Sequence, residues 1–196
     1  MYQKKIAITG GIGSGKSTVA RIIKERGFPV FSCDEIYQDV IKSAEYIEKI
    51  AQIFPNAVEN NIINRQTLAK IVFSDNEARK QLNSIAHPLI MENLFSKMEK
   101  SESTLVFAEV PLLFEEKLEG FFDEIWVVFR DLEDRICSTV LRDHCDREDV
   151  IQRINAQFNY DSVNSRQYLK QMNAHIIDNC KGEAELQNII DSLLKQ

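Results

Sequence analysis

The sequence predicts an α/β protein of three layers, with helices on either side of a five-stranded parallel sheet. Three observations predict it. Short apolar runs alternate with segments of helical period, the first run ends in the decapeptide TGGIGSGKST (Thr9 to Thr18), and no linker or low-complexity tract divides the 196 residues.

In chain order, Lys4 to Thr9 reads as a strand running into the glycines. Ser17 to Arg26 follows at helical period, with Val19, Ile22 and Ile23 apolar and Gly27 as its stop. Phe28 to Ser32 reads as the second strand, reached by a short right-handed crossover. Leu105 to Val110 and Glu124 to Phe129 read as buried parallel strands, and Ala174 to Asp178 as the fifth. Residues 35–103 lie between the second and third strands, too long for a simple crossover, and read as a helical insertion. Asn64 is placed to cap RQTLAKIVF and Asp75 to cap NEARKQLNSIA. Pro88 falls near the start of a further helix ending around Lys100, and Phe54, Phe73 and Phe95 fall at helical-core positions. Residues 132–172 form a second helical block, rich in Arg, Asp and Gln. The layout is therefore a core of residues 1–34, 104–131 and 173–196, an insertion of 35–103 and a lid of 132–172, all in one domain.

Composition narrows the function classes. A net charge of −6 argues against broad attraction to a nucleic acid polymer or an anionic membrane, and 44% apolar residues suffice for a sizeable core. No run reaches a membrane span, and the N-terminal apolar run has a buried strand's length rather than the pattern of a signal peptide. Cys33, Cys137, Cys145 and Cys180 form no CxxC pair, and His144 beside Cys145 has no partners at zinc-finger spacing. Four reduced cysteines in a cytoplasmic protein is the reading, with no obligate protein partner evident.

Gly10, Gly15, Lys16 and Ser17 satisfy G-x-x-x-x-G-K-[ST] between a strand and a helix, the context that gives this pattern its meaning. The fold expected is therefore P-loop kinase-like. Backbone N–H groups of Gly11, Ile12, Gly13, Ser14, Gly15, Lys16 and Ser17 would form a concave nest for the phosphates of ATP, with the positive end of the next helix behind them. Lys16 would reach the β- and γ-phosphates, the Ser17 hydroxyl would ligand Mg²⁺, and Thr18 would lie near the α-phosphate. A dinucleotide loop needs a third glycine where Lys16 stands, so that reading fails. A guanine-selecting Asn-Lys-x-Asp is absent from the sequence, which argues against a switch-type GTPase. Small size, an insertion after the second strand and an arginine-bearing block after the fourth match small-molecule kinases, which close over two substrates.

Asp34 stands just past the second strand, at the edge where open parallel sheets bind ligands. It could accept the proton of an acceptor hydroxyl, or it could be the N-cap of the next helix.

The glycine-rich opening, the acid after strand two, INRQTLAKIVF, QLNSIAHPLI, EVPLLFE and IIDN, in this order, resemble dephospho-coenzyme A kinases. The resemblance is spread over nearly the whole chain. It implies that ATP phosphorylates the ribose 3′-hydroxyl of dephospho-coenzyme A to give coenzyme A and ADP, the last step of coenzyme A synthesis. Asp34 would be the base, the insertion would hold the acceptor, and Mg²⁺ would accompany ATP. A nucleoside or nucleotide kinase, or a nucleotide-binding regulatory module, is the alternative. Arg65 and His87 belong to motifs of the acceptor-binding region; each is either a substrate contact or a surface ion pair or helix-start residue. Glu109 ends the third strand as a Walker-B-like acid that would hold Mg²⁺ through water or cap the turn at Val110-Pro111.

The chain departs from the family pattern at several points. Ser32-Cys33-Asp34 keeps only the second acid of the usual Asp-Ala-Asp. Arg142 matches the second of two lid arginines four apart, but Ser138 stands at the first, with Arg135 one turn earlier. Arg142 is accordingly expected to clamp the transferring phosphoryl group, and Arg147 to sit in a solvated helix start. The stretch from Gln157 to Ala174 is longer than the usual spacing, and His175 replaces an acid.

Overall fold

The computed structural model describes residues 2–195. In chain order the elements are β1 (Lys4–Thr9), α1 (Lys16–Glu25), β2 (Val30–Ser32), α2 (Cys33–Val40), α3 (Ala44–Ile53), β3 (Val58–Glu59), β4 (Ile62–Ile63), α4 (Arg65–Ser74) and α5 (Asn76–Glu99). They continue as β5 (Leu105–Glu109), β6 (Glu124–Phe129), α6 (Leu132–Asp143), α7 (Arg147–Asn155), α8 (Val163–Gln171), β7 (His175–Asp178) and α9 (Glu183–Leu193). The chain divides into two compact units, Met1–Val30 with Ser101–Gln196, and Phe31–Lys100.

The first unit is built on a five-stranded parallel sheet in the order β2-β5-β1-β6-β7 with flanking helices. All five strands expected from the sequence are present. Their order carries information that local pattern does not: β5 lies between β1 and β2, so the strands on either side of the first crossover are not neighbours. Side chains alternate across each strand. Ile6, Ile8, Phe107, Trp126, Val128 and Ile177 therefore share one face and are buried together with Val19, Ile22 and Ile23 of α1 and Leu186 and Ile190 of α9. Phe107 packs edge-on against both Phe28 (6.0 Å) and Trp126 (5.1 Å). The register sets Ile8 opposite Glu109 on one side and Trp126 on the other. β5 thus ends within one residue of the end of β1, and β6 runs two residues past it.

The second unit is helical, with α2, α3 and α4 each packed on α5. Asn64 caps α4 by accepting from the Thr67 N–H at 3.0 Å, and Asp75 caps α5 by accepting from the Glu77 N–H at 2.8 Å, as their positions predict. Three expectations are corrected here. Pro88 does not start a helix; it lies inside the 24-residue α5. An interior proline costs about 3 kcal/mol. Ile85, Ala86, Leu89, Leu94 and Met98 are buried around it, and large apolar side chains contribute about 1.5–3 kcal/mol each, so their burial outweighs the broken hydrogen bond. Phe73 is 87% exposed instead of core, while Phe54 is buried as expected. Between α3 and α4 the chain makes a β-hairpin, β3 with β4, that helical periodicity does not announce. Its two turn residues, Asn60 (φ 51°) and Asn61 (φ 60°), both take the left-handed conformation that a two-residue hairpin requires and that asparagine tolerates.

Candidate active site

In the first unit, β1 delivers the chain into the loop 10–15 and α1 carries it away. The loop closes on itself: the Ser14 N–H donates to the Gly11 carbonyl at 3.1 Å, and the Thr18 N–H to the Gly15 carbonyl at 3.0 Å. Glycine is required here by shape. Gly13 has φ 75°, and a Cβ on it would lie 2.4 Å from the Arg135 carbonyl oxygen. Gly15, at φ 95°, would place a Cβ 2.2 Å from Asn179 Nδ2. Gly15 is also the N-cap of α1, and no side chain caps that terminus. No side chain therefore competes with an anion at this terminus, where the positive end of the helix dipole favours negative charge. No acidic residue stands in that turn to compete. Ser14 Oγ, buried inside the loop, completes no hydrogen bond among the described residues.

Three side chains far away in sequence brace the loop from outside. Gln157 Oε1 accepts from the Ile12 N–H at 2.8 Å, Arg135 Nε donates to the Ile12 carbonyl at 3.0 Å, and Asn179 Nδ2 donates to the Ser14 carbonyl at 2.9 Å. Each bond fixes a peptide plane, so the loop is held by the scaffold as well as by its own turns. Arg135 is 2% exposed and pairs with Asp161 at 3.1 Å, and its guanidinium lies against Gly11. Lys16 folds over the loop and donates to the carbonyls of Gly10 (2.9 Å) and Gly11 (3.1 Å). Below the loop, Thr9 Oγ1 and the buried Tyr160 hydroxyl share a hydrogen bond at 3.2 Å, and burial pushes the Tyr160 phenol above its ordinary pKa.

The remaining residues singled out in the sequence fall as follows. Glu109 ends β5, one strand away from the loop's own strand. Arg142, in the last turn of α6, is exposed and binds Asp143 through Nε (2.6 Å) and Nη2 (3.0 Å). Asp143 also accepts from Arg153 at 2.8 Å, and the two guanidiniums, Arg142 foremost, hold its carboxyl down at about 2. Arg147 begins α7 as expected, exposed and paired with Glu133 at 2.7 Å.

Asp34, Arg65 and His87 belong to the second unit. Asp34 is exposed in the first turn of α2, but it is not the N-cap. Ser32 is, its Oγ accepting from the Glu35 N–H at 3.4 Å. The Asp34 carboxylate is thereby released from capping. Arg65 opens α4, exposed. His87 lies within α5, so it neither caps nor opens a helix.

Arg135, Gln157 and Asn179 are the residues whose part in the loop the sequence did not disclose. Asn179 stands in the IIDN stretch and Gln157 at the start of the long spacing, but nothing local marks either as a partner of the phosphate loop.

A nested glycine loop on an uncapped helix, at the end of a central strand of a parallel sheet, defines a P-loop phosphotransferase. The shikimate kinase of Acinetobacter baumannii shares this fold, with a TM-score of 0.56 at 14% identity over 98% of this chain and 92% of that one.

Comparison with known proteins then gives the family. The family model described as CoaE, dephospho-CoA kinase, matches residues 4–184. A dephospho-CoA kinase of Thermus thermophilus is 39% identical over 152 residues, 78% of this chain and 74% of the relative. One from Staphylococcus aureus is 30% identical over 198 residues, 98% of this chain and 93% of that protein. The Campylobacter jejuni dephospho-CoA kinase structure superposes with a TM-score of 0.66 at 26% identity, covering 97% of this chain and 95% of the other. The chain belongs to the dephospho-CoA kinase family, which are ATP-dependent transferases.

Proposed function

We propose that this chain transfers the γ-phosphoryl group of ATP to the ribose 3′-hydroxyl of dephospho-coenzyme A, giving coenzyme A and ADP. Family membership supplies the acceptor, and the observation that carries the chemistry is the phosphate loop. A helix N-terminus that no side chain caps, the glycine-rich turn before it and Lys16 suit a triphosphate.

Lys16 exchanges its two loop carbonyls for the β- and γ-phosphate oxygens, trading neutral acceptors for charged ones. The amides of Gly11, Ile12, Gly13, Ser14, Gly15 and Ser17, with the Thr18 hydroxyl at the α-phosphate, fix the chain of phosphates for in-line displacement. Ile12 and Ser14 contribute chiefly through their position, since their N–H groups are already given to Gln157 and to the Gly11 carbonyl. Asp34 accepts the proton of the 3′-hydroxyl as that oxygen attacks phosphorus. Arg142 leaves Asp143 to neutralise charge on the transferring group, and Arg65 and His87 hold the acceptor. Ser17 and Glu109 present hard oxygen donors that suit Mg²⁺ and would hold it, Glu109 through water, and the ion would supply positive charge to offset that of the phosphates.

The test is ADP release measured with and without dephospho-coenzyme A, on wild type, Lys16→Ala and Asp34→Asn. Acceptor-dependent release by wild type, loss of ATP binding in Lys16→Ala, and retained ATP binding with lost turnover in Asp34→Asn are expected. Release that ignores dephospho-coenzyme A but responds to another hydroxyl acceptor would reject the assignment in favour of a nucleotide kinase.

A further inference from the structure

Within the first unit, the face of the sheet turned away from α1 and α9 carries a second cavity. Side chains alternate along a strand, so Val127 and Phe129 of β6 and Ile176 and Asp178 of β7 point to this face. The register sets Val127 beside Ile176 and Phe129 beside Asp178. On α8, Arg166, Leu169 and Lys170 are spaced i, i+3 and i+4 and so share the stripe that meets the strands. With Tyr160 these residues line a pocket of about 310 Å³, at the lower end of the range for sites that hold small organic molecules.

The floor of the pocket is apolar and its rim is charged. Val127 and Leu169 are buried, while Ile176 between them is left 43% exposed. The Arg166 guanidinium lies over the Phe129 ring, 4.9 Å from its centroid, and neither it nor the Lys170 ammonium pairs with a carboxylate among the described residues. Stacking on the ring leaves the edge of the guanidinium, with its N–H donors, unused. Asp178 faces the same space and accepts the Cys180 N–H at 3.0 Å. Two cations against one carboxylate leave a single positive charge to be matched.

Each feature selects part of a ligand. Bare aliphatic surface favours a hydrocarbon body. Two cations one helical turn apart favour an anionic head, and a planar guanidinium meets a carboxylate through two parallel hydrogen bonds. Asp178 opposes a second negative charge, which separates a carboxylate from a phosphate dianion. We propose that this pocket binds an organic monocarboxylate, with its carboxylate between Arg166 and Lys170 and its apolar body on Val127, Ile176 and Leu169. The site lies behind the phosphate loop, to which Tyr160 joins it through the bond to Thr9 at 3.2 Å. Tyr160 and α8 both come from the stretch between Gln157 and Ala174 whose length departs from the family pattern. The inference does not depend on the acceptor proposed above.

The test uses cinnamate as the probe, with cinnamamide as its neutral counterpart, titrated into the full chain at pH 8 and followed by calorimetry. Saturable one-to-one binding of cinnamate is expected, at least about tenfold tighter than that of cinnamamide, because only the anion forms charge-assisted hydrogen bonds. Arg166→Gln and Lys170→Gln should each weaken cinnamate at least about fivefold and leave cinnamamide within about twofold. Both side chains belong to exposed residues, so thermal melts of the two variants should match wild type and separate lost binding from lost folding. Phenyl phosphate, a dianion at this pH, should bind more weakly than cinnamate. Absence of saturable cinnamate binding, equal binding of cinnamate and cinnamamide, or unchanged cinnamate affinity in both variants would overturn the proposal. So would tighter binding of phenyl phosphate, or displacement of cinnamate by saturating magnesium-ATP, which would put the probe in the nucleotide site.

Discussion

Arg135→Ala should destabilise this protein more than any other arginine truncation within residues 132–172. The guanidinium side chain is 3% exposed, donates to the Ile12 carbonyl at 3.0 Å and pairs with Asp161 at 3.1 Å. A hydrogen bond to a charged group contributes about 1.5–3 kcal/mol, and removing one partner of a fully buried pair costs about 3–5 kcal/mol. The second figure must be reduced, because the Asp161 side chain keeps 35% exposure and water can solvate the carboxylate left behind. A total near 3 kcal/mol is the reasonable sum. At 2–4 °C per kcal/mol for chains of about this length, Tm should fall by roughly 6–12 °C. Far-UV circular dichroism melts of wild type and variant measure it. A shift below about 2 °C would refute the reasoning, since it would mean that the pair is solvated or that water replaces the guanidinium freely. The same variant frees the Ile12 peptide, so ATP affinity at 20 °C should weaken while the chain is still folded.

Arg142→Ala should lower Tm far less than Arg135→Ala does, because the side chain is 61% exposed and Arg153 still pairs with Asp143, while cutting kcat far more than Arg147→Ala; equal small losses of kcat in the two would reject Arg142 as a clamp. Gly13→Ala should abolish ATP binding, because its Cβ would meet the Arg135 carbonyl at 2.4 Å and backbone cannot retreat as a flexible side chain does; titration calorimetry with magnesium-ATP checks this, and wild-type affinity would contradict it. The Asp143 carboxyl is held below its unfolded value of 3.8, at about 2, so its contribution to stability is present above about pH 4 and is lost as pH falls toward 2. Wild type should therefore melt higher than Asp143→Asn at pH 5 to 7, with the gap closing by pH 2. A gap that stays constant over that range would show that the two arginines do not perturb the carboxyl.

How much of this was legible beforehand depends on how local the cause is. The phosphate loop was legible because its conformation excludes Cβ atoms, and a shape that only glycine fits is written directly into the sequence. The caps Asn64 and Asp75 were legible because each bonds an N–H within three residues. Failures began where two local rules competed. Ser32 and Asp34 are both competent caps, and the choice of Ser32 was settled by where the strand ends. Pro88 is a sound helix-start residue unless buried side chains on both sides hold the helix through it, and only tertiary packing shows that they do. Phe73 sat at a core-like spacing, but a helix flanked by a pocket has a face that periodicity counts as buried and packing leaves open.

The brace was beyond reach for a different reason. Arg135 and Gln157 meet Ile12 across 123 and 145 residues, and Asn179 meets Ser14 across 165. Each bonds a main-chain atom, and every residue but proline offers the same two groups there, so the loop's sequence carries no trace of which side chain will arrive. Motif reading thus favours arginines with a family position, such as Arg142, over one whose burial commits it to the backbone. A charge hidden to 2% exposure beside an anion-binding loop must be held there by bonds strong enough to offset its lost hydration, and Ile12 and Asp161 supply them. It follows that the rigidity of the loop depends on Arg135, Gln157 and Asn179 before any substrate arrives. Residues 132–172 can therefore change only in ways that keep the Ile12 peptide fixed, a constraint that spacing within that stretch alone would never reveal.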